Sequence, residues 1–408
     1  MKIKLPLGKG NVTIDIPNEN LLGILKPPAH LPHREIDREE LLEKLHNFLG
    51  NSKKVLVIVN DYTRPTPNEQ IIDIIEVLLK KLDVRFIVAC GSHTPPNATQ
   101  LRQIFGKYIQ IYSDRIINHN AREITQLKFL GKTRRGTPLW FNQILWDAEK
   151  IITINSVEPH YFAGYTGGRK SFIPGVAGIE TITINHKLAL SPEARTLNLK
   201  NNPVHEDMTE ATKMIPRPIF SLQAVINADH KLYSLRYGDI FKSFEEAVYD
   251  ANEVFCTLIN EKADIVICVV QPPYDINFYQ AQKAMENGKL ALKKDGILII
   301  ISECREGVGD DEFIKFFDGA KTPYEVLMRV EKNFLLGAQK SAKLAELLMN
   351  AEIWAVTPID EIIIKKLFMQ PFRSLEEALE EAFKIKGPTA KIYILPDASL
   401  TVPMLNYA

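Results

Sequence analysis

The chain has 408 residues, too many for one simple hydrophobic core, so two domains are expected. Hydrophobic residues make up 45% and charged residues 25%, the proportions of an ordinary soluble globular protein. Fifty Lys plus Arg against fifty Asp plus Glu argue against a nucleic-acid binder, which needs an excess of base to neutralise phosphates.

The N-terminal "MKIKLPLGKGNVTIDIP" alternates like a strand pair around a Gly turn and lacks the apolar core of a signal peptide. No apolar run reaches the length of a membrane span, so a cytoplasmic protein with no membrane partner is expected. Next, "KKVLVIVND" (53–61) is a β-branched strand, "YTRPTPN" a proline-rich loop and "EQIIDIIEVLLKKL" a helix by its apolar spacing. "VRFIVACGSHTPPN" (84–97) repeats the plan, with a helix beginning near Ala98. Strand, loop and helix twice over predicts a parallel α/β sheet, whose ligands collect at the carboxyl ends of the strands. Asp61, Thr63, Arg64, Ser92, His93 and Thr94 fall at such ends.

"KIITINSVEPHYFAGYTGGRK" begins as a third strand (150–155) and runs into a Gly-rich stretch read as flexible, with no core run to bury its charges. "FSLQAVIN" and "KLYSLRYGD" predict an antiparallel pair, and 243–259 a helix. A second α/β unit starts at "ADIVICVVQPP" (263–273) and continues through the helical "FYQAQKAMENGKLALKK", the strand "GILIIISEC" and helices near 310–318, 322–332 and 337–350. The strands "EIWAVTP" and "KIYILPD" follow, the latter after a helix near 375–385. The expected fold is therefore α/β with two domains, 1–262 and 263–396, each a mainly parallel sheet flanked by helices. The active site is expected in the interdomain cleft, and a tail, 397–408, could pack back on the N-terminal domain. Cys90, Cys256, Cys268 and Cys304 form no CxxC pair, and three sit in strand-like runs, so they read as small buried hydrophobes rather than disulfides or zinc ligands.

The residue types then narrow the chemistry. Asp61, Thr63 and Arg64 before a helix would suit a phosphate or carboxylate, or merely brace a turn. His93 after a small-residue turn is as consistent with a hydrogen-bonded surface residue as with a catalyst. In "GYTGGRK", Gly167 and Gly168 permit close approach of a ligand, and Lys170 beside Arg169 would have its amine pKa lowered and could act as a nucleophile. His160, His186 and His205 match no compact zinc signature. His119 and His205 lie in polar loops and read as structural. Tyr279, Gln280 and Lys283, at a helix start, could face an anion or simply form an amphipathic surface.

Taken in order, "DYTRP", "GSHTP", "EPHYFAGYTGGRKSFIPG", "TITINHK" and "YQAQKA" resemble the nickel-dependent lactate racemase family. The resemblance spans roughly residues 60 to 285, and the C-terminal third matches by domain plan alone. It implies a 2-hydroxy acid racemase or epimerase, an isomerase working by hydride transfer. Lys170 would be covalently joined to a nickel-pincer nucleotide derived from nicotinic acid mononucleotide, and His186 would complete the nickel coordination. His93 and His160 would be the acid/base pair. Asp61, Thr63, Arg64, Gly167, Gly168 and Lys283 would hold the cofactor, and Arg64, Tyr279, Gln280 and Lys283 the substrate. The implied partners are a small 2-hydroxy acid and cofactor-synthesis and maturation proteins, in a monomer or homodimer. Removing hydride rather than a proton from C2 avoids a carbanion beside a carboxylate, and a histidine that takes the hydroxyl proton avoids an alkoxide. The alternatives are an NAD-dependent 2-hydroxy acid dehydrogenase, for which no GxGxxG follows a predicted strand, a non-catalytic nucleotide or organic-anion binder, and, more distantly, a zinc hydrolase.

Overall fold

The computed structural model describes residues 1–8, 10–28, 31–227 and 229–406. The chain divides into two compact units, residues 30–254 and residues 1–29 with 255–408. Among the described residues no helix is long and apolar enough to cross a membrane.

The first unit is built on a six-stranded sheet in the order Leu232–Asp239, Ile219–Ile226, Lys150–Ser156, Lys54–Asn60, Asp83–Ala89, Ile116–Asn118. All neighbours are parallel except Ile219–Ile226 with Leu232–Asp239, the antiparallel pair expected from the sequence. Residues 55–59 are buried without alternation, as a strand covered on both faces requires. Helix Asn68–Leu79 buries Ile71, Ile72, Ile74, Ile75 and Leu79, one stripe at helical spacing. Each such side chain contributes about 1.5–3 kcal/mol of burial. Helix Ala98–Phe105 starts where expected because Asn97 and Gln100 close a capping box, and it stops at Gly106, whose φ is 54°.

His119 is buried, not loop-exposed, with Nε2 2.9 Å from the Ala177 carbonyl oxygen. Burial lowers its imidazole from the ordinary 6.5 to about 4, against the opposing effect of that carbonyl. The unfolded chain therefore takes up this proton before the folded one does. Stability is full above the ordinary value and falls as pH drops toward the folded one, by up to about 1.4 kcal/mol per pH unit. Urea midpoints should fall between neutral pH and about pH 4, and His119→Gln should flatten that slope. An unchanged slope in the variant would discount the histidine.

The second unit carries a six-stranded, all-parallel sheet ordered Gln370–Phe372, Glu352–Val356, Leu292–Ile301, Ala263–Val269, Ile392–Leu395, Leu21–Ile24. One face packs against helices Phe278–Gly288 and Ala338–Leu348. The other is covered by helix Leu375–Lys386 and the hairpin Lys2–Leu7/Gly10–Asp15.

Three expectations need correction here. Residues 1–29, expected with the N-terminal domain, fold with the C-terminal unit, because Leu21–Ile24 supplies its edge strand and Asn20 donates to the Pro388 and Ala390 carbonyls. The helix expected over 243–259 runs Ile240–Phe255, and Cys256–Ile259 is a strand. That strand pairs in parallel with Val402–Leu405, so the C-terminal tail stays within its own unit. All four cysteines are buried and free.

Candidate active site

In the unit of residues 30–254, the adjacent parallel strands Asp83–Ala89, Lys54–Asn60 and Lys150–Ser156 end side by side. Their carboxyl ends form one rim, and the segments that follow bring Asp61, Thr63, Arg64, His93, Gly167 and Lys170 around a single pocket, with Asn155 and Ser171 in its wall.

Asp61 is buried and spends its carboxylate inside the protein. Oδ2 lies 2.7 Å from His93 Nδ1, and Oδ1 accepts from the Thr63 hydroxyl at 2.6 Å and its amide at 3.3 Å. Burial pushes its pKa up, but the His93 and Thr63 bonds and the His93 and Arg64 charges outweigh it and hold the group below the usual carboxylate range. An ionised carboxylate only accepts, so Nδ1 of His93 carries hydrogen, and in the neutral ring Nε2 presents the lone pair. The sequence reading gave Asp61 to a cofactor and did not supply this partner. Arg64 pairs with Glu158 at 2.7 Å, a partner also missed.

The stretch after Ser156 is no flexible loop. Pro159–His160 and Gly164–Tyr165 form a minimal antiparallel hairpin, and nearly everything from Phe162 to Gly178 is buried. Arg169, expected beside Lys170 as part of a basic pair, is 1% exposed and holds the turn from within. Its guanidinium donates to the carbonyls of Ala163, Tyr165, Thr166 and Gly167 and sits 4.3 Å from the Phe244 ring centre. Burial lowers its pKa to about 9.

Lys170 follows at the pocket floor, half-buried. Burial first, then the Arg64 and Arg169 charges, lower its amine well below the ordinary lysine value, with Glu158 opposing. A neutral amine there is a nucleophile. His186, in the last turn of helix Ile179–Lys187, is buried, and burial and the Lys170 charge bring it down to about 3, with the Ile182 carbonyl opposing. Its imidazole is therefore neutral and fit to ligate a metal. The Phe162 ring joins these groups. It meets His160 edge-on at 4.6 Å and His186 at 5.1 Å, and lies 5.5 Å from the Lys170 amine. His160 Nδ1 faces the amides of Ala163 at 3.3 Å and Phe162 at 3.5 Å, so it accepts, and Nε2 carries the hydrogen. The two proposed acid/base histidines thus hold opposite tautomers.

Gly167 and Gly168 have φ of 81° and 50°. The Gly168 amide donates to Asn155 Oδ1 at 2.8 Å and Gln223 Oε1 at 3.0 Å. A Cβ on Gly167 would lie 2.5 Å from Val157 Cγ2, and one on Gly168 3.2 Å from the Phe244 ring. The first demand for glycine is thus the protein's own packing, not ligand approach. Gly167→Ala is expected to cost about 2–4 kcal/mol, through left-handed strain and overpacking. Thermal unfolding several degrees below wild type would show it, and an unchanged melting temperature would refute it.

Among the described residues no cluster of three or more His, Cys, Asp or Glu could hold a metal. The side chains that could hold a cofactor or metal here are the Lys170 amine, lowered well below its ordinary value, and the buried imidazole of His186. His205 lies on helix Pro203–Lys213, not in a loop, with its ring 6.1 Å from Phe244. Tyr279, Gln280 and Lys283 belong to the other unit, on the first turns of helix Phe278–Gly288. Phe162, Glu158 and Asn155 were missed: Phe162 and Glu158 stood inside the motif without a role, and Asn155 closed a strand that looked wholly structural.

Residues 7–197 match the lactate racemase N-terminal domain, and residues 258–402 the lactate racemase C-terminal domain. The chain is 31% identical to a lactate racemase of Thermoanaerobacterium thermosaccharolyticum, over 97% of each. It is 29% identical to one of Lactiplantibacillus plantarum, over 97% of this chain and 98% of that one. The solved structure of the lactate racemase apoprotein from T. thermosaccharolyticum aligns with a TM-score of 0.89 at 30% identity, covering 99% of this chain and 100% of that one. A Thermotoga maritima protein of 20% identity, aligned at a TM-score of 0.68 over 92% of this chain, shares the fold.

Proposed function

The chain belongs to the lactate racemase family, and on that footing we propose that it inverts C2 of a 2-hydroxy carboxylate by proton-coupled hydride transfer, with a nickel-pincer nucleotide tethered to Lys170. When bound, that group supplies the acceptor that takes hydride from C2 and returns it. Lys170 would hold it through the side-chain nitrogen and His186 through an imidazole nitrogen, and Thr63, Arg64 and Gly167, which line the pocket, would surround it.

The protein's own residues carry the proton. His93 presents the Nε2 lone pair to the substrate hydroxyl and takes its proton as hydride leaves, so no alkoxide forms. Asp61 stabilises the imidazolium that results. His160, with hydrogen on Nε2, donates to the keto oxygen; once its Nδ1 has taken a proton from solvent, it gives the Nε2 proton to that oxygen as hydride returns to the other face. To act as a base at Nε2, it must first free Nδ1 from the Phe162 and Ala163 amides, which requires the 160–163 turn to shift. Arg64 keeps donors beyond its bond to Glu158 with which to hold the substrate carboxylate.

The observation that supports this reading most is that Lys170, its amine lowered well below the ordinary lysine value, and His93, oriented by Asp61, share one pocket, with the buried neutral His186 against the same Phe162 ring as Lys170. Protein produced together with the cofactor-synthesis proteins should show an intact-mass increment on Lys170, bind nickel and racemise members of a 2-hydroxy acid panel. Unmodified Lys170 with no nickel and no racemisation would sink the proposal.

A further inference from the structure

In the unit of residues 30–254, the pocket at the carboxyl ends of the strands is a small cavity of about 70 Å³. Three of its lining side chains together complement a short 2-oxo acid. Lys170 brings a primary amine, its nitrogen 5.5 Å from the centre of the Phe162 ring. Arg64 gives one nitrogen to Glu158 at 2.7 Å and keeps others for a carboxylate. His93, bonded through Nδ1 to Asp61 at 2.7 Å, has Nε2 left to accept and return a proton.

The two acids nearby leave that amine available. Asp61 engages one oxygen with His93 and the other with Thr63. Glu158 favours the Lys170 charge but is bonded to Arg64, and burial and the Arg64 and Arg169 charges outweigh it. An exposed lysine is almost wholly protonated at neutral pH and attacks carbonyls slowly, because the neutral amine is the nucleophile. An amine, a carboxylate receptor and a proton carrier around one cavity are the parts that imine formation requires.

We propose that, while Lys170 carries no other group, the pocket binds short 2-oxo acids such as pyruvate and joins them to Lys170 as a reversible imine. The carboxylate rests on Arg64 and the amine nitrogen bonds to C2, whose carbonyl oxygen becomes a hydroxyl. That hydroxyl leaves as water while the N=C bond forms. Both amine hydrogens end in the water, with His93 Nε2 passing a proton from nitrogen to oxygen, and no electron donor or acceptor is needed. Addition of water reverses the step. This activity belongs to the incomplete chain and stands whether or not the completed one is a racemase. In a racemase, the 2-oxo acid formed from its own substrate would cap the tether and slow its loading.

The test treats full-length, cofactor-free protein with pyruvate and cyanoborohydride, which reduces an imine to a stable secondary amine, and maps the product by intact mass and peptide analysis. One adduct per chain is expected on Lys170, forming at least about tenfold faster than on any other lysine. Methyl pyruvate, which lacks the charge, should react at least about tenfold more slowly than pyruvate. Arg64→Gln should erase that preference, and Arg64→Lys should keep most of it. No adduct on Lys170, adducts spread evenly over surface lysines, or a preference that survives Arg64→Gln overturns the proposal. Protein produced with the cofactor-synthesis proteins should form no adduct there. Trapping at the cofactor-free rate in that protein would uphold the imine and remove the tether assignment. Absence of trapping in cofactor-free protein, from a chain that racemises once loaded, would overturn the imine alone.

Discussion

Asp61→Asn should lower kcat by about 100- to 10,000-fold while leaving melting temperature and nickel content near wild type. An asparagine fits the same space, but its amide can donate to His93 Nδ1, where the carboxylate accepts at 2.7 Å. The imidazole then adopts the other tautomer, with hydrogen on Nε2 and no lone pair for the substrate hydroxyl. Two-bond 1H–15N correlation spectra of histidine-labelled protein give an independent readout. Wild type should show hydrogen on Nδ1 of His93 and on Nε2 of His160, and the variant should show both histidines alike. Full activity in Asp61→Asn, or one shared tautomer in wild type, would remove the asymmetry between the two histidines.

Lys170→Arg is expected to abolish activity, to at least the thousandfold detection limit of a coupled assay. The guanidinium keeps a positive charge but cannot form the covalent bond that a neutral amine forms. Intact-mass analysis should show no increment, and nickel retention should fall with it, because His186 alone among the protein's side chains is proposed as a ligand. Retained activity with an unmodified chain would end the tether assignment while leaving the family membership untouched.

The rim itself was legible because parallel strands announce their ends. Five consecutive apolar residues before Asn60, and three, Phe86 to Val88, before Ala89, fix where Asp61 and His93 stand. The partners of those residues were not legible. Glu158 is 94 residues from Arg64, and Asp61 is 32 from His93, so only the register of the sheet makes them neighbours. The Gly-rich stretch misleads for a related reason: its charges look exposed because both terminal nitrogens of Arg169 donate to backbone carbonyls, which leave no side-chain pattern in the sequence. The placement of residues 1–29 was equally hidden, since a four-residue edge strand at Leu21–Ile24 has no local signal that selects its distant partner, Ile392–Leu395.

The buried guanidinium of Arg169 has a consequence for how the enzyme is completed. Its bonds to four carbonyls and its seat on Phe244 involve only the polypeptide, so the turn that carries Lys170 needs no prosthetic group to hold its shape. If Lys170 carries the proposed group, its attachment would be a docking and bond-forming event on a folded protein, and chain purified without the cofactor is expected to accept it afterwards.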